Sequence, residues 1–408
     1  MDTGIRDELA QIRELLEQHL DLTKARLPIP QDSTALIAEK TQDFVGRRYV
    51  FAAIRDFLLQ KPKGYFVLEG DPGVGKSAIL AKFAQCYRGS CLTHFNNRGT
   101  DYKNFLKNIC TQLIGGYGLD YTALPENTLE DETVLTSLLG EVSRKLLPGK
   151  KLVIVVDALD EVDISKQIAG KNVLYLPDFL PDNVYFIVSK RPEQLNLPPV
   201  QLRTLFNLMQ YPAKSVEDAR YYVETVTSKS SQIQNWVQAK NSTLENFWGE
   251  LVAKSANNFM YLRYVLHDIQ EGIYQGEGLD SLPQGLVEYY ARHWQVMGMN
   301  GDPAVDLALE KKIITIYVLS IYILLEVQQP VSRRLLAKLT GVTEYHLRPI
   351  LTRWGQFLRI QFIDGEDRYA IYHASFGDFL RDRAKDSGVD LEEINRRIAE
   401  NLAGGAPR

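Results

Sequence analysis

Short apolar runs alternate with helical periodicity from Phe44 to about Leu205. The runs are rich in β-branched and aromatic residues, which favour strands, and they predict buried strands at Tyr65–Leu68, Cys91–Phe95, Leu152–Val156 and Val184–Val188. Strands that alternate with helices form parallel sheets covered on both faces. The pattern therefore predicts an α/β domain at residues 41–205, in which ligands bind at the carboxyl ends of the strands.

The periodicity changes after residue 205, where strand-like runs give way to apolar positions at helical spacing. This spacing is clear in Val216–Val226 and Thr243–Val265 and predicts a small helical domain at residues 206–282. At the other end of the chain, residues 386–408 are charged and predict a tail.

The region between the helical domain and the tail has a different pattern. Two helices are predicted around Leu335–Leu339 and His346–Leu358, and apolar runs follow at Ile360–Ile363 and Tyr369–Tyr372, on either side of an Asp-Gly-Glu turn. Helix, turn, helix and β-hairpin form the outline of a winged helix. Residues 283–385 are therefore predicted to be a winged-helix domain.

Residues 1–40 predict an amphipathic helix followed by a linker. The helix is predicted over residues 5–27, because apolar side chains recur at alternating intervals of four and three residues, at Ile5, Leu9, Ile12 and Leu16. The polar stretch from there to Thr41 predicts the linker. The pattern fits equally well a helix that packs on its own protein and one that binds a partner.

Composition narrows the class of protein. The chain has 408 residues, enough for two to four folding units, and its net charge of −4 gives no reason to expect nucleic-acid binding. Three cysteines, Cys86, Cys91 and Cys110, suit neither a disulfide framework nor a zinc site and favour a reducing cytoplasm. The apolar stretch Ile313–Leu325 is shorter than the roughly 20 residues that span a bilayer and predicts a buried helix. We therefore expect a cytoplasmic protein with no membrane partner.

The segment Gly70–Ser77 fits the pattern G-x-x-x-x-G-K-[ST] and lies between a predicted strand and a predicted helix. Glycines let consecutive backbone N–H groups approach a phosphate, and the positive end of the helix dipole adds to the attraction. We expect Lys76 to reach the β- and γ-phosphates and the Ser77 hydroxyl to bind Mg²⁺. The predicted nucleotide-binding residues of this loop are Gly70, Pro72, Gly73, Val74, Gly75, Lys76, Ser77 and Ala78.

Acidic residues follow the third predicted strand, and a basic residue follows the fourth. Asp157 ends the third strand, where a carboxylate can hold Mg²⁺, and Asp160 and Glu161 come three and four residues later. Either of those two acids is a candidate to orient or deprotonate the attacking water. Arg191 lies just beyond the fourth strand, where a guanidinium can bind the γ-phosphate through two hydrogen bonds.

These motifs resemble those of the STAND class of P-loop NTPases, particularly its NACHT branch. Asp157-Ala158-Leu159-Asp160-Glu161 is similar to the extended acidic motif of that branch, and Ser189-Lys190-Arg191-Pro192 to its sensor-1 motif. Near the start of the α/β domain, Phe44-Val45-Gly46-Arg47 resembles the motif that these proteins and AAA+ proteins place against adenine. The resemblance implies that Phe44, Val45, Gly46 and Arg47 contact the nucleotide.

Two further motifs extend the resemblance to about residue 382. Ala256-Asn257-Asn258-Phe259-Met260-Tyr261 resembles the helical-domain motif of NACHT proteins that carry WD40 repeats, with Asn257 in place of a glycine, and implies a nucleotide contact by Phe259. The segment Tyr372–Leu380 resembles the winged-helix motif whose histidine touches the β-phosphate of ADP. The resemblance thus assigns that contact to His373.

The family implies an ATP- and ADP-dependent signalling switch that uses Mg²⁺. ADP holds a closed monomer, exchange for ATP opens it and leads to a homo-oligomer, and slow ATP hydrolysis resets it. The family also implies roles such as bacterial defence or programmed cell death, with an effector and a trigger that the sequence does not identify. STAND proteins usually carry C-terminal sensor repeats, and this sequence has no internal repeat of about 20 to 50 residues, so we expect such repeats to lie outside it.

Two other interpretations stay open at this point. A DNA-dependent ATPase of the origin-recognition type also joins such a nucleotide domain to a winged helix, although the predicted recognition helix Thr343–Leu358 carries few basic residues and several apolar ones, Leu347, Ile350, Leu351 and Trp354. The other interpretation is a scaffold that retains ADP for stability and does not catalyse hydrolysis.

Overall fold

The computed structural model describes residues 3–16, 33–96, 100–296, 319–327 and 329–403. A five-stranded parallel sheet forms the centre of the predicted α/β domain. The strands lie in the order β2-β3-β4-β1-β5. Their bounds are Gly64–Glu69 for β1, Leu92–Phe95 for β2, Leu152–Asp157 for β3, Val184–Lys190 for β4 and Arg203–Asn207 for β5. The α/β fold with a parallel sheet is therefore confirmed, with four of the strands where the apolar runs predict them.

The fifth strand, β5, was not predicted. It lies at the edge of the sheet beside β1, and among its residues Phe206 is buried whereas Leu205 is 58% exposed. An edge strand that mixes buried and exposed residues lacks the continuous apolar run of the inner strands, so its sequence resembles that of a connecting segment.

Alternate side chains of the inner strands point to opposite faces of the sheet, as strand geometry requires. Tyr65 and Val67 of β1 belong to one apolar core, and Phe66 and Leu68 belong to another. Helices cover both faces. In this part of the chain their bounds are Thr3–Leu16 for α1, Thr34–Thr41 for α2, Arg48–Gln60 for α3, Lys76–Cys86 for α4, Tyr102–Gly116 for α5 and Thr133–Lys145 for α6.

The N-terminal helix α1 packs on its own protein. Leu9, Ile12 and Leu16 are at most 7% exposed and belong to the same apolar core as α3 residues such as Ile54. Glu8 adds an ion pair with Arg48, with 3.0 Å between Oε1 and Nε. The rest of the predicted helix over residues 5–27, from residue 17 onward, lies outside the described residues.

The structure contradicts the last part of the predicted linker up to Thr41, and the part up to residue 32 lies outside the described residues. Residues from Thr34 form helix α2, and Leu36 and Ile37 pack against Ala81 and Ala84 of α4. A single pair of apolar residues in a polar stretch is too short to show periodicity, although it suffices to attach one helix of eight residues.

Four helices follow β5: α7 at Pro212–Ser228, α8 at Ser231–Ala239, α9 at Leu244–Ser255 and α10 at Phe259–Gln270. They match the predicted change to helical periodicity. The chain divides into two compact units, Met1–Gln275 and Gly276–Arg408, so these helices and the sheet belong to the first unit.

The second unit contains the winged-helix outline. A three-stranded antiparallel sheet in the order β6-β8-β7 accompanies the helices. The elements are α11 at Gly285–Val296, α12 at residues 319–326, β6 at Val331–Ser332, α13 at Arg333–Thr340, α14 at Glu344–Arg353, β7 at Leu358–Ile363, β8 at Glu366–Ile371, α15 at Ala374–Ser387 and α16 at Leu391–Ala403.

The bounds of two predicted helices in the second unit can be compared with the structure. Helix α14 ends at Arg353 and not at Leu358, because the chain turns through Gly355–Phe357 and Leu358 begins β7. Residues 320–325 of the predicted buried helix Ile313–Leu325 are buried and helical, and the beginning of that stretch lies outside the described residues. Among the described residues, no helix is long and apolar enough to span a membrane.

Candidate functional site

The phosphate loop connects β1 to α4 at the carboxyl edge of the sheet. Gly73 and Gly75 have φ angles of 83° and 98°, which L side chains rarely adopt, and Gly75 immediately precedes the first residue of α4. Gly73 and Gly75 thus allow the tight turn that brings backbone amides to the start of a helix. This geometry suits an anion, because the helix N-terminus presents unpaired N–H groups.

Lys76 folds back onto the loop that precedes it. Its ammonium group donates hydrogen bonds to the carbonyl oxygens of Gly70, at 2.6 Å, and Asp71, at 3.0 Å. Burial lowers the pKa of Lys76, and the nearby carboxylates of Asp160 and Asp157 oppose that shift. The ammonium group is therefore held at the loop among acidic groups.

Asp157 ends the inner strand β3 and is only 5% exposed. Ser189 Oγ donates a hydrogen bond of 2.5 Å to Asp157 Oδ1, and the same Ser189 oxygen accepts one from the backbone N–H of Ala158 at 2.8 Å. Burial raises the pKa of Asp157, while hydrogen bonds with Ser189 and Ser77 act against that rise. The structure thus brings together the two predicted Mg²⁺ ligands, Ser77 and Asp157, from different elements.

The donor set fits the predicted metal. A hydroxyl and a carboxylate are hard oxygen ligands, and Mg²⁺ is usually held by one or two such protein groups together with phosphate oxygens and water. The described residues contain no cluster of three or more His, Cys, Asp or Glu side chains that would hold a metal on their own. The site therefore suits an ion that arrives with a phosphate ligand.

A buried chain of hydrogen bonds reaches the main chain of Asp157 from α5. Asn108 Nδ2 donates to His94 Nδ1 at 3.0 Å, and His94 Nε2 lies 3.1 Å from Asn96 Oδ1. Asn96 Nδ2 then donates to the Asp157 carbonyl oxygen at 2.6 Å. Burial lowers the pKa of His94 to about 4, so the imidazole is neutral near pH 7. The sequence analysis missed this chain, and only the position of Asn96 just after β2 hints at it.

Asp160 and Arg191 are paired with each other. Arg191 Nε lies 2.9 Å from Asp160 Oδ2, and the Arg191 backbone N–H donates to Asp160 Oδ1 at 3.1 Å. Both oxygens of the carboxylate are thereby engaged. Glu161 is partly exposed and lies in the same short helical turn, Leu159–Glu161. The sequence predicted that all three residues follow strands, but it did not predict that Asp160 and Arg191 contact each other.

Lys190, which precedes Arg191, has a different set of contacts. Its ammonium group lies 2.5 Å from Glu69 Oε2 and donates to the carbonyl oxygens of Arg191 and Glu193. Because Glu69 also accepts a hydrogen bond from Asn207 Nδ2 at 3.0 Å, this carboxylate joins the ends of β1, β4 and β5. Lys190 therefore fixes the position of the turn from which Arg191 projects.

The motif at Phe44–Arg47 directly precedes α3, and its arginine is buried. Arg47 is 3% exposed, its Nη2 donates to the Val74 carbonyl oxygen at 2.5 Å, and its guanidinium lies 4.5 Å from the centre of the Phe259 ring. Phe44 makes an edge contact with Phe51, and Val45 is partly buried.

Asp218 contacts this motif from α7. The Arg47 backbone N–H donates to Asp218 Oδ2 at 3.0 Å, and a side chain at Gly46 would overlap Asp218. Asp218 is a site residue that the sequence analysis missed.

The helical-domain motif also reaches the phosphate loop. Asn257 has a φ of 62°, a conformation that asparagine tolerates better than most residues, which explains how it replaces glycine there. Asn258 Nδ2 donates to the Pro72 carbonyl oxygen at 2.9 Å. The backbone N–H groups of Phe259 and Met260 donate to the Gly73 carbonyl oxygen at 2.9 and 3.2 Å. The motif segment therefore contacts the phosphate loop, the nucleotide contact of Phe259 stays a prediction, and the contact made by Asn258 was missed.

His373 lies in the second unit, at the start of α15. Its Nδ1 accepts a hydrogen bond from the backbone N–H of Ser375 at 3.2 Å and lies 2.6 Å from Ser375 Oγ. Tyr290 OH is 3.0 Å from the same Ser375 oxygen. An Nδ1 that accepts from an N–H group carries no proton, so the proton of the neutral ring is on Nε2. The contact of His373 with a phosphate stays a prediction.

Comparison with known proteins gives a matching family model and a curated relative. The model of the family described as "Nephrocystin 3, N-terminal" matches residues 52–189. The human "NACHT domain- and WD repeat-containing protein 1" is 30% identical over 168 residues, which are 37% of this chain and 10% of that protein. The chain thus spans about a tenth of the length of this curated relative.

Similar solved structures cover most of the chain at low identity. One is a Signal Transduction ATPase with Numerous Domains (STAND) protein with a tetratricopeptide repeat sensor from Pyrococcus horikoshii, at 16% identity and a TM-score of 0.44 over 89% of this chain and 46% of that one. Another is CDC6P from Pyrobaculum aerophilum, at 9% identity and a TM-score of 0.35 over 89% of this chain and 98% of that one.

Proposed function

We propose that this chain, a P-loop NTPase of the STAND and NACHT type, is a switch that ADP holds closed and ATP opens, with slow Mg²⁺-dependent ATP hydrolysis as the reset. One observation carries the proposal: the phosphate loop, the Ser77–Asp157 pair and Arg191 meet at the carboxyl ends of the adjacent strands β1, β4 and β3. An anion cradle, an oxygen-donor pair and a guanidinium are the three groups that binding and sensing a nucleoside triphosphate require.

Nucleotide binding begins with an exchange of partners at Lys76. The ammonium group now bonds the carbonyl oxygens of Gly70 and Asp71, and phosphate oxygens carry more negative charge than carbonyl groups. We expect the phosphates to take over this ammonium group while the amides of the loop bind the same anion. The neighbouring carboxylates of Asp157 and Asp160 favour the charged form of Lys76, which keeps it ready for this exchange.

Ser77 and Asp157 would hold Mg²⁺ beside the bound phosphates. When bound, the ion neutralises the charge that develops on the transferred phosphoryl group. The protein contributes the positions of the two oxygens. Ser189 fixes one carboxylate oxygen of Asp157, and Asn96 fixes the Asp157 carbonyl group. These contacts leave the carboxylate few orientations other than the one that faces Ser77.

The pairing of Asp160 favours Glu161 as the residue that orients the attacking water. Both oxygens of Asp160 bond to Arg191, so this carboxylate is committed to an arginine. Glu161 follows it in the same turn and is partly exposed. A general base needs a carboxylate oxygen that can reach a water molecule. We therefore assign water orientation to Glu161 and the control of Arg191 to Asp160.

Arg191 would distinguish ATP from ADP by a competition. The γ-phosphate competes with Asp160 for the guanidinium, and ADP has no such group to offer. A switch responds only when the two nucleotides differ in affinity for its two states. The Asp160–Arg191 ion pair would supply this difference in affinity, because ATP can replace Asp160 as the partner of Arg191 and ADP cannot.

Replacing Lys76 by alanine tests the site. We expect Lys76→Ala to abolish measurable binding of fluorescently labelled ATP and ADP, because it removes the ammonium group that meets the β- and γ-phosphates. Lys82→Ala, on the same helix and with its ammonium group bonded to Gln85, is the matched control and should bind as the unmodified protein does. Normal affinity in Lys76→Ala would contradict the assigned loop.

Hydrolysis needs its own measurement. Timing phosphate release after the unmodified protein is loaded with ATP separates a slow catalyst from a scaffold that only retains ADP. We expect slow release that ends when Glu161 is replaced by glutamine. Binding without any release of phosphate would support the scaffold instead.

A further inference from the structure

Three consecutive carbonyl groups of the phosphate loop are bonded from outside the loop. Asn258 Nδ2 donates to Pro72 O, the backbone N–H groups of Phe259 and Met260 donate to Gly73 O, and Arg47 Nη2 donates to Val74 O. The four donor–acceptor distances lie between 2.5 and 3.2 Å. We call this set of donors, from Arg47, Asn258, Phe259 and Met260, the loop clamp.

The clamp determines where the amides of the loop point. In a trans peptide unit the C=O and the N–H are fixed in one plane and point in opposite directions. Carbonyl groups held toward α10 and Arg47 therefore turn the N–H groups of Gly73, Val74 and Gly75 the other way. These are the amides that a phosphate loop offers to an anion. The clamp thus orders the loop before any phosphate arrives.

Asn258 joins the loop to the start of α10 through both ends of its amide. Its Nδ2 bonds Pro72 O, while its Oδ1 accepts from the backbone N–H of Tyr261 at 3.1 Å and so caps the helix. The side chain lies so close to Gly73 that any Cβ there would overlap its amide group. Helix α10 therefore begins against the phosphate loop itself.

The partner of Arg47 extends this connection to α7. Asp218 accepts the Arg47 backbone N–H at 3.0 Å and lies 3.7 Å from Arg47 Nε. Phe259 lies under the same guanidinium. Both α7 and α10 belong to the helical region after the sheet, so two of its helices determine the position of the loop.

We propose that Asn258 is a positioning residue that couples nucleotide affinity to the seating of α10 on the phosphate loop. With α10 seated, the amides of the loop are ordered for phosphate, and a bound nucleotide in turn holds α10 in place, because coupling between two sites is reciprocal. The proposal rests on the nucleotide site proposed above. It adds a route by which movement of the helical region releases nucleotide without any contact between Asn258 and the ligand.

Asn258→Asp tests the proposal because it replaces the donor end of the amide by a second oxygen, with one added negative charge, and keeps the oxygen that caps α10. Aspartate still caps α10 but cannot donate to Pro72 O. We expect it to weaken ADP binding by roughly 5- to 10-fold, the effect of one hydrogen bond, with little change in the free energy of unfolding. Asn235→Asp, an exposed change of the same charge on α8, is the control and should leave affinity unaltered.

Hydrogen exchange gives a second measurement, which a merely structural role would not change. In the unmodified protein, ADP should slow exchange of the Phe259 and Met260 amides, and Asn258→Asp should reduce this slowing. Equal ADP affinity in Asn258→Asp and the unmodified protein, or α10 exchange that ignores ADP, would overturn the proposal. Failure of the unmodified protein to bind ADP would overturn the proposed function instead.

Discussion

Asp157 combines two opposed demands in one side chain. As a ligand of Mg²⁺ this side chain would act as a carboxylate anion, whereas burial at 5% exposure penalises the charge and raises the pKa of this carboxyl group. Four groups limit that penalty: the hydroxyls of Ser189 and Ser77 and the ammonium groups of Lys76 and Lys40. Ser77 and Lys76 also belong to the phosphate loop. The carboxylate is therefore less favourable for the empty fold than a neutral side chain of the same shape.

Asp157→Asn separates these demands. The asparagine oxygen can still accept from Ser189, and the buried charge is gone, so we expect the free energy of unfolding to rise at neutral pH. Because the pKa of Asp157 is raised in the folded protein, this gain is complete above that pKa and disappears as the pH falls toward the ordinary value of 3.8. Phosphate release should fall by roughly 100-fold or more, since Mg²⁺ loses an anionic ligand.

Urea unfolding at several pH values and timed phosphate release measure the two effects of Asp157→Asn. Loss of stability at neutral pH would mean that the charge, rather than the shape of the side chain, holds the end of β3 together. Unchanged phosphate release would remove Asp157 from the metal site.

Local sequence predicted the site residues that lie at the ends of elements. The phosphate loop, Asp157 and Arg191 were found because each directly follows an apolar run, so strand order alone brings them to one edge. Asp218 and Asn258 depend on contacts over long stretches of chain: 171 residues separate Arg47 from Asp218, and 186 separate Pro72 from Asn258. No periodicity encodes a contact of that kind, and only the motif resemblance pointed to the segment around Asn258.

Helix α1 shows how packing decides between two interpretations that its amphipathic pattern leaves open. Its apolar face is buried against the core that contains α3, and its backbone is bonded as well: Tyr87 OH donates to Leu9 O at 2.9 Å, and the Lys151 backbone N–H donates to Leu15 O at 3.2 Å. Arg13 Nη2 adds a hydrogen bond to the Cys86 carbonyl oxygen, at the end of α4. The helix therefore braces the far end of the element that begins at the phosphate loop.

Ile12→Ala measures the contribution of this helix. Ile12 is fully buried, so its truncation should lower the free energy of unfolding by roughly 2 to 4 kcal/mol through lost burial and a cavity. Gln11→Ala, on the exposed face of the same helix, should change it by less than about 0.5 kcal/mol. Equal stability of both variants in urea unfolding would mean that α1 leaves the core in solution and is available to a partner.

The proposed switch requires that the state of the nucleotide reach the second unit of the chain. His373 is the residue to which the family resemblance assigns this step, and its Nδ1 is already used to cap α15. The tautomer that this cap requires has its proton on Nε2, which can donate to a phosphate. Replacing the histidine by alanine therefore changes two things at once, the helix cap and the proposed phosphate contact.

His373→Asn separates the two roles, since asparagine is a good N-cap but lacks the distant donor of the imidazole. We expect both His373→Ala and His373→Asn to release ADP faster and to form oligomers with ATP more readily. Only His373→Ala should also lose about 1 kcal/mol of stability. Stopped-flow displacement of labelled ADP and light scattering with ATP measure the first two effects. If ADP leaves both variants at the rate of the unmodified protein, the lock on the closed state lies elsewhere, and His373 serves only the start of its helix.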